Sequence, residues 1–128
     1  KAIPIAPQKE DPEAYERAFQ KACDVLRDGE LLCLFPEGAI TRDGKLAPFK
    51  GGIMKILEQT PVPVIPSALH NLWGSSFSRI DGAAMAKPLR RGLFNHVGLV
   101  VGAPIPPDQV SPESLQVRVQ ALLDEPTP

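Results

Sequence analysis

A five-residue apolar run, Leu31-Leu32-Cys33-Leu34-Phe35, is bounded by Gly29 before it and stopped by Pro36 after it. A run of this length between such boundaries predicts a buried strand of a parallel or mixed sheet. A loop rich in charged residues and Gly comes next, then Gly51-Gly52 and a helical pattern. Ligands of α/β folds bind in loops at the carboxyl ends of strands. Residues 32–52 therefore predict both the fold class and the position of a site.

The flanking segments extend this reading. Asp11-Pro12-Glu13 combines a capping carboxylate, Pro at the first helical position and an acid in the first turn. Ala14, Ala18, Ala22, Val25 and Leu26 then recur at helical steps, and Gly29 ends the helix. Ile53, Ile56 and Leu57 mark one face of a short helix that ends near Thr60-Pro61. Asp43-Gly44 is a turn signal inside the loop. Residues 61–66 carry too many prolines for a fully paired central strand, yet their apolar positions read as a strand entering the core. Ile3 and Ile5 alternate around Pro4 as an edge strand would, and residues 97–101 form the clearest late strand. Ser111-Pro112-Glu113 repeats the helix start, and Leu115, Val119, Leu122 and Leu123 give its apolar face.

The order strand, helix, strand, helix, strand, strand, helix predicts an α/β domain: a mixed, largely parallel sheet flanked by helices. With 128 residues the chain has one core, and a chain of about 150 residues buries roughly 68–70% of its unfolded surface without metal or disulfide staples. Fourteen basic residues face fifteen acidic ones. That balance gives no basic stripe for nucleic acid. Cys23 and Cys33 read as small buried hydrophobes of a reducing compartment. No apolar run approaches the roughly 20 residues of a membrane span, and no signal peptide is seen. The chain opens at Lys1, without Met, directly into a strand-like pattern. A fragment of a longer protein is expected, with residues 124–128 as a frayed tail.

On spacing alone, Phe35-Pro36-Glu37-Gly38 supports a modest reading. Glu37 could accept hydrogen bonds from a hydroxylated ligand, and Gly38 could bring a backbone N–H close to it. A solvated Glu in a strand-to-loop turn explains the same residues.

The ordered blocks decide more. Residues 35–38 are followed by Arg42-Asp43-Gly44, by Pro48-Phe49-Lys50 and Gly52, and by Pro61-Val62-Pro63-Val64-Ile65-Pro66. Together these resemble the third and fourth motifs of the glycerolipid acyltransferases, the family of lysophosphatidic acid acyltransferases and their relatives. The resemblance runs from about Ala2 to Leu69. It implies transfer of a fatty acyl chain from an acyl thioester, acyl-CoA or acyl-[acyl-carrier-protein], to a glycerolipid hydroxyl, with no bound cofactor. No metal site is expected, since His70 and His96 lie far from any acidic or Cys cluster. The resemblance implies acceptor contacts at Glu37, Gly38, Thr41, Arg42 and Lys50. It gives structural motif positions at Phe35, Pro36, Gly44, Gly52, Pro63 and Pro66. It also implies a membrane surface as partner, at its cytoplasmic face.

The family's catalytic pair is a His and an Asp spaced HxxxxD, the His acting as general base. Here His70 is followed five positions later by Ser75, and His96 by Val101. The pair is expected upstream of Lys1, so these 128 residues alone are expected to be inactive. Two positions where the family often carries Arg hold Pro7 and Ile40. Hydrogen bonds to charged groups contribute about 1.5–3 kcal/mol each, and Arg–phosphate pairs are often bidentate. Two such losses amount to about 3–6 kcal/mol, or roughly 10²–10⁴ in affinity. Lys9, Arg42 or Lys50 could offset part of this. The expected acceptor is thus a lysophospholipid with a capped phosphate, such as a lysophosphatidylethanolamine. Residues 72–79 point the same way, being similar to 2-acylglycerophosphoethanolamine acyltransferase domains.

Other residues have two readings each. Thr41 and Arg42 touch a headgroup or shape the loop. Lys50 assists phosphate binding or is simply solvated. Gly51-Gly52 allows close packing or exposes N–H groups at a helix start. Trp73 and Phe77 face acyl chains or pack in the core. Arg90 and Arg91, with Lys87, meet anionic lipid or water. A non-catalytic lipid- or acyl-carrier-binding module with the same fold is the alternative function. Missing strands and helices would leave an apolar face open, so self-association is expected.

Overall fold

The computed structural model describes residues 2–4, 7–39, 41–73 and 96–126. Helix α1 is Pro12–Arg27, α2 is Gly52–Gln59 and α3 is Pro112–Asp124. Strands β1, Ser67–His70, and β2, Gly98–Val101, form a two-stranded sheet, and a 3-10 turn spans Pro107–Gln109.

Local chemistry sets both ends of α1 and the start of α3. Asp11 caps α1, its carboxylate accepting the Ala14 N–H at 2.9 Å. The helix closes with Glu30 N–H donating to Val25 O and Gly29 N–H to Leu26 O, both at 3.1 Å, the paired bonds of a Schellman motif. Ser111 and Ser114 cap α3 reciprocally, each side chain accepting the other's backbone N–H.

Two core clusters share α2. Ile56 packs with Phe19, Ala22 and Cys23 of α1, joined by Ile3, Tyr15, Leu26 and Leu32. Leu57, one step round the helix, packs with Ile105, Val110 and Leu115, joined by Phe49 and Val64 among others. Lys55 reinforces the α1–α2 contact: its ammonium pairs with Glu16 and lies 4.6 Å from the Phe19 ring centre.

The strands depart from expectation. β1 and β2 are antiparallel, with Leu69 opposite Leu99 and Ser67 opposite Val101; a largely parallel sheet is not seen among the described residues. Residues 31–35 belong to no strand. Leu31 is 88% exposed and Phe35 66%. A strand is stabilised by a neighbour's backbone, and among the described residues none pairs with this run. Cys33 is accordingly exposed, whereas Cys23 is fully buried. Residues 2–4 are not strand either; Pro4 has no N–H to offer a ladder. Ile5 lies outside the described residues.

The Pro-rich segment 61–66 enters the core by one bridge. Val64, between prolines, exchanges backbone bonds with Ile105 at 2.9 and 2.8 Å. Pro66 is buried and its carbonyl accepts Gly102 N–H at 2.8 Å; Pro63 is exposed. Strand β1 begins directly afterwards. His70 at its end is buried, with Nε2 2.9 Å from Leu122 O. A carbonyl only accepts, so Nε2 carries the proton. This bond occupies one of the last carbonyls of α3 and anchors β1 to it.

Candidate functional site

The loop between residues 36 and 50 is closed at its neck. Lys50 N–H donates to Pro36 O at 2.9 Å, and Ala47 N–H donates to Glu37 Oε2 at 3.1 Å. Glu37 is half-buried. It holds the two sides of the loop together, a structural bond included in neither of the two readings of this carboxylate, ligand contact or solvated turn residue. At the far side, Phe49 N–H donates to Gln116 Oε1 of α3 at 3.2 Å, joining the loop to that helix.

Gly38 has φ +70, in the left-handed region that disfavours side chains. Its N–H donates to Phe35 O at 3.2 Å. That N–H thus closes a turn with Phe35. A Cβ there would lie 3.0 Å from Lys50 Nζ and 3.2 Å from its Cδ, a contact that the flexible lysine side chain can relieve, so the need for Gly is conformational. Lys50 therefore lies across Gly38, and these two sequence-predicted residues are brought together.

Thr41, Asp43 and Lys45 make a second arrangement within the loop. Lys45 N–H donates to Asp43 Oδ1 at 3.0 Å. The Thr41 hydroxyl lies 3.0 Å from the same oxygen and 2.9 Å from Lys45 O; its one proton serves one of them at a time. The Lys45 N–H, and next the Thr41 hydroxyl, hold the Asp43 carboxyl below its ordinary range. Thr41 thus shapes the loop. Arg42 is exposed beside it. Neither Arg42 nor Lys50 has an ion pair among the described residues; the three pairs found there are Arg17–Glu13, Arg27–Asp24 and Lys55–Glu16.

Gly44, φ +77, sits against Trp73. The turn at Asp43-Gly44 was legible in the sequence; its partner 29 positions later carried no signal. The same holds for Ala47, whose backbone meets Glu37. Gly52, by contrast, leaves room for a Cβ, the nearest atom being Phe19 Cζ at 3.5 Å, so no close approach is demanded there.

A recess of about 570 Å³ runs between Gly44, Lys45 and Leu46 and the α3 residues Gln120, Leu123 and Asp124. None of Glu37, Gly38, Thr41, Arg42 or Lys50 lines it. Among the described residues no three His, Cys, Asp or Glu side chains cluster as metal ligands. His96 is exposed, and His70 is engaged with α3. Ile40, Phe77, Lys87, Arg90 and Arg91, together with most of residues 72–79, lie outside the described residues.

The family model described as "Acyltransferase" matches residues 1–70, more than half of the chain. This chain belongs to the acyltransferase family. The match covers α1, the 36–50 loop, α2 and β1 of this acyltransferase-family chain. A chloroplastic 1-acyl-sn-glycerol-3-phosphate acyltransferase of Brassica napus is 36% identical over 59 residues, covering 46% of this chain and 17% of its own length. A 1-acyl-sn-glycerol-3-phosphate acyltransferase of Limnanthes douglasii is 33% identical over 76 residues, 56% of this chain and 27% of its own. That of Cocos nucifera is 34% identical over 73 residues, 55% and 24% respectively. The acyltransferase chain thus spans about a quarter or less of the length of these relatives. No solved structure matches it. No helix among the described residues is long and apolar enough to cross a membrane.

Proposed function

We propose that this chain is part of an enzyme that moves a fatty acyl group from an acyl thioester, acyl-CoA or acyl-[acyl-carrier-protein], to the free hydroxyl of a glycerophospholipid. One observation supports it most: in a chain of this family, the closed loop after residues 35–38 carries Arg42 exposed and Lys50 laid across Gly38, neither neutralised by an ion pair among the described residues. Such cations suit an acceptor phosphate. Glu37 holds the neck of the loop that presents them.

The general base is a His–Asp pair that these 128 residues do not contain in the required spacing. On this reading they supply acceptor contacts and do not transfer acyl groups alone. The acceptor is a lysophospholipid whose phosphate is capped, such as lysophosphatidylethanolamine. Pro7 and Ile40, where the family often places Arg, support that choice. The relatives' names specify 1-acyl-sn-glycerol-3-phosphate, so the choice of headgroup is a sharp test. The reaction takes place at a membrane surface, on its cytoplasmic face.

The experiment is an acceptor panel with the intact protein and an acyl-CoA or acyl-carrier donor. Lysophosphatidylethanolamine is expected to exceed lysophosphatidic acid in kcat/KM by about tenfold or more, as loss of even one Arg–phosphate contact implies. Preference for lysophosphatidic acid overturns the headgroup assignment. Acyl transfer by the 128-residue chain alone overturns the assignment of the base.

A further inference from the structure

Trp73 is the chain's single tryptophan. It stands three residues after β1, past a turn at Asn71, which has φ 62. Asn tolerates this left-handed conformation better than most residues. The turn brings the half-buried indole onto the loop. A Cβ on Gly44 would fall 2.7 Å from Cε2, 2.8 Å from Nε1 and 2.9 Å from Cδ2 of Trp73, all atoms of the five-membered ring. Only the bare Gly44 backbone fits there. Gly44 lies next to Asp43, whose carboxylate holds Lys45 N–H and approaches the Thr41 hydroxyl.

The platform under the indole is fixed. β1 pairs with β2 along all four residues, and His70 bonds to Leu122 O of α3. An unbroken series of contacts thus runs from α3 through His70 and β1 to Trp73, and from Trp73 through Gly44 to the segment carrying Thr41 and Arg42. The local bonds of residues 41–45 set the shape of that segment, but they do not set where it sits. The neck bonds at Glu37–Ala47 and Pro36–Lys50 hold its base beside Gly38, and the indole contact seats its tip at Gly44.

We propose that Trp73 is a positioning residue: by seating Gly44 it fixes the loop that presents Thr41 and Arg42 to the acceptor headgroup. The acceptor clause rests on the acyl-transfer reading above; the seating clause does not. This assigns the indole neither to acyl chains nor to general core packing.

The test compares Trp73→Ala, Trp73→Phe and Gly44→Ala in the intact protein by two readouts. The first is amide hydrogen exchange of residues 41–47, with α1 as internal reference, since local opening and global unfolding separate in this measurement. Trp73→Ala and Gly44→Ala are expected to speed exchange of 41–47 by about tenfold while α1 is unchanged, and Trp73→Phe to restore most of the protection. The second is steady-state kinetics with lysophosphatidylethanolamine and lysophosphatidic acid as acceptors. Trp73→Ala is expected to raise acceptor KM about tenfold and leave donor KM within about twofold. Unchanged exchange at 41–47, or faster exchange throughout α1 as well, overturns the proposal. Equal rises in acceptor and donor KM overturn its acceptor clause. A wild-type protein that transfers no acyl group overturns the acyl-transfer reading and with it the acceptor clause; the exchange data still decide the seating of Gly44.

Discussion

Glu37 Oε2 accepts the Ala47 N–H at 3.1 Å, across ten positions of sequence. With the Lys50 N–H bond to Pro36 O, it makes a two-bond neck for the loop. Glu37 therefore has a structural duty that precedes any contact with a ligand.

The neck bond needs an acceptor oxygen, which an amide supplies as well as a carboxylate. Glu37→Ala is expected to cost about 1 kcal/mol of loop order, or about fivefold in its closed population. Acceptor KM of the intact protein should rise accordingly, while Glu37→Gln stays within about twofold of wild type. A Gln variant as impaired as the Ala variant would show that the negative charge itself meets the ligand.

Asp43 makes the loop sensitive to acid. Its carboxyl is held below the ordinary range, first by Lys45 N–H and then by Thr41. A depressed folded-state value means that the charged form is favoured by folding. The contribution is fully present above the unfolded value, about 3.9, and is lost as pH falls through the lower folded value. The Lys45 amide resonance should hold its position near neutral pH and move as the solution is acidified, with a midpoint below the ordinary carboxylate value. Asp43→Asn should abolish that titration. A Lys45 midpoint at or above the ordinary carboxylate value would contradict the assigned bonds.

Thr60 ends α2 with a buried hydroxyl that has no hydrogen-bond partner among the described residues. A buried hydroxyl without a partner is destabilising, and Val matches Thr in shape without it. Thr60→Val is expected to stabilise the intact protein by about 1 kcal/mol in chemical denaturation. A loss of stability of similar size would mean that the hydroxyl has a partner.

The sheet presents an apolar outer face. Leu69 is 37% exposed, Leu99 opposite it 59%, and Val101 55%. Exposed apolar faces of this kind drive association. The 128-residue chain is expected to elute as a dimer or larger species, and a Leu69→Lys, Leu99→Lys double variant to shift toward monomer. A wild-type chain that sediments as a monodisperse monomer would refute this.

Helices were legible in residue order because their bonds are local. Asp11-Pro12-Glu13 and Ser111-Pro112-Glu113 start α1 and α3, and Gly29 stops α1, each through partners within five positions. Asp43-Gly44 likewise marked its own turn. The apolar run 31–35 misled because apolarity records a capacity for burial, whereas a strand also requires a backbone alongside. No such neighbour pairs with it among the described residues, and Leu31 and Phe35 stand in solvent.

By itself, then, the sequence determined the three helices, the turn at Asp43-Gly44 and the family motifs around residues 35–38. Only the tertiary structure decided that β1 and β2 run antiparallel, that Glu37 closes a loop through Ala47, that Lys50 lies across Gly38, and that Trp73 seats Gly44. The physical reason is range. Capping and helical bonds join residues a few positions apart, so residue order specifies them; strand pairs and loop contacts join residues separated by ten to thirty or more, and exist only once the chain has closed on itself.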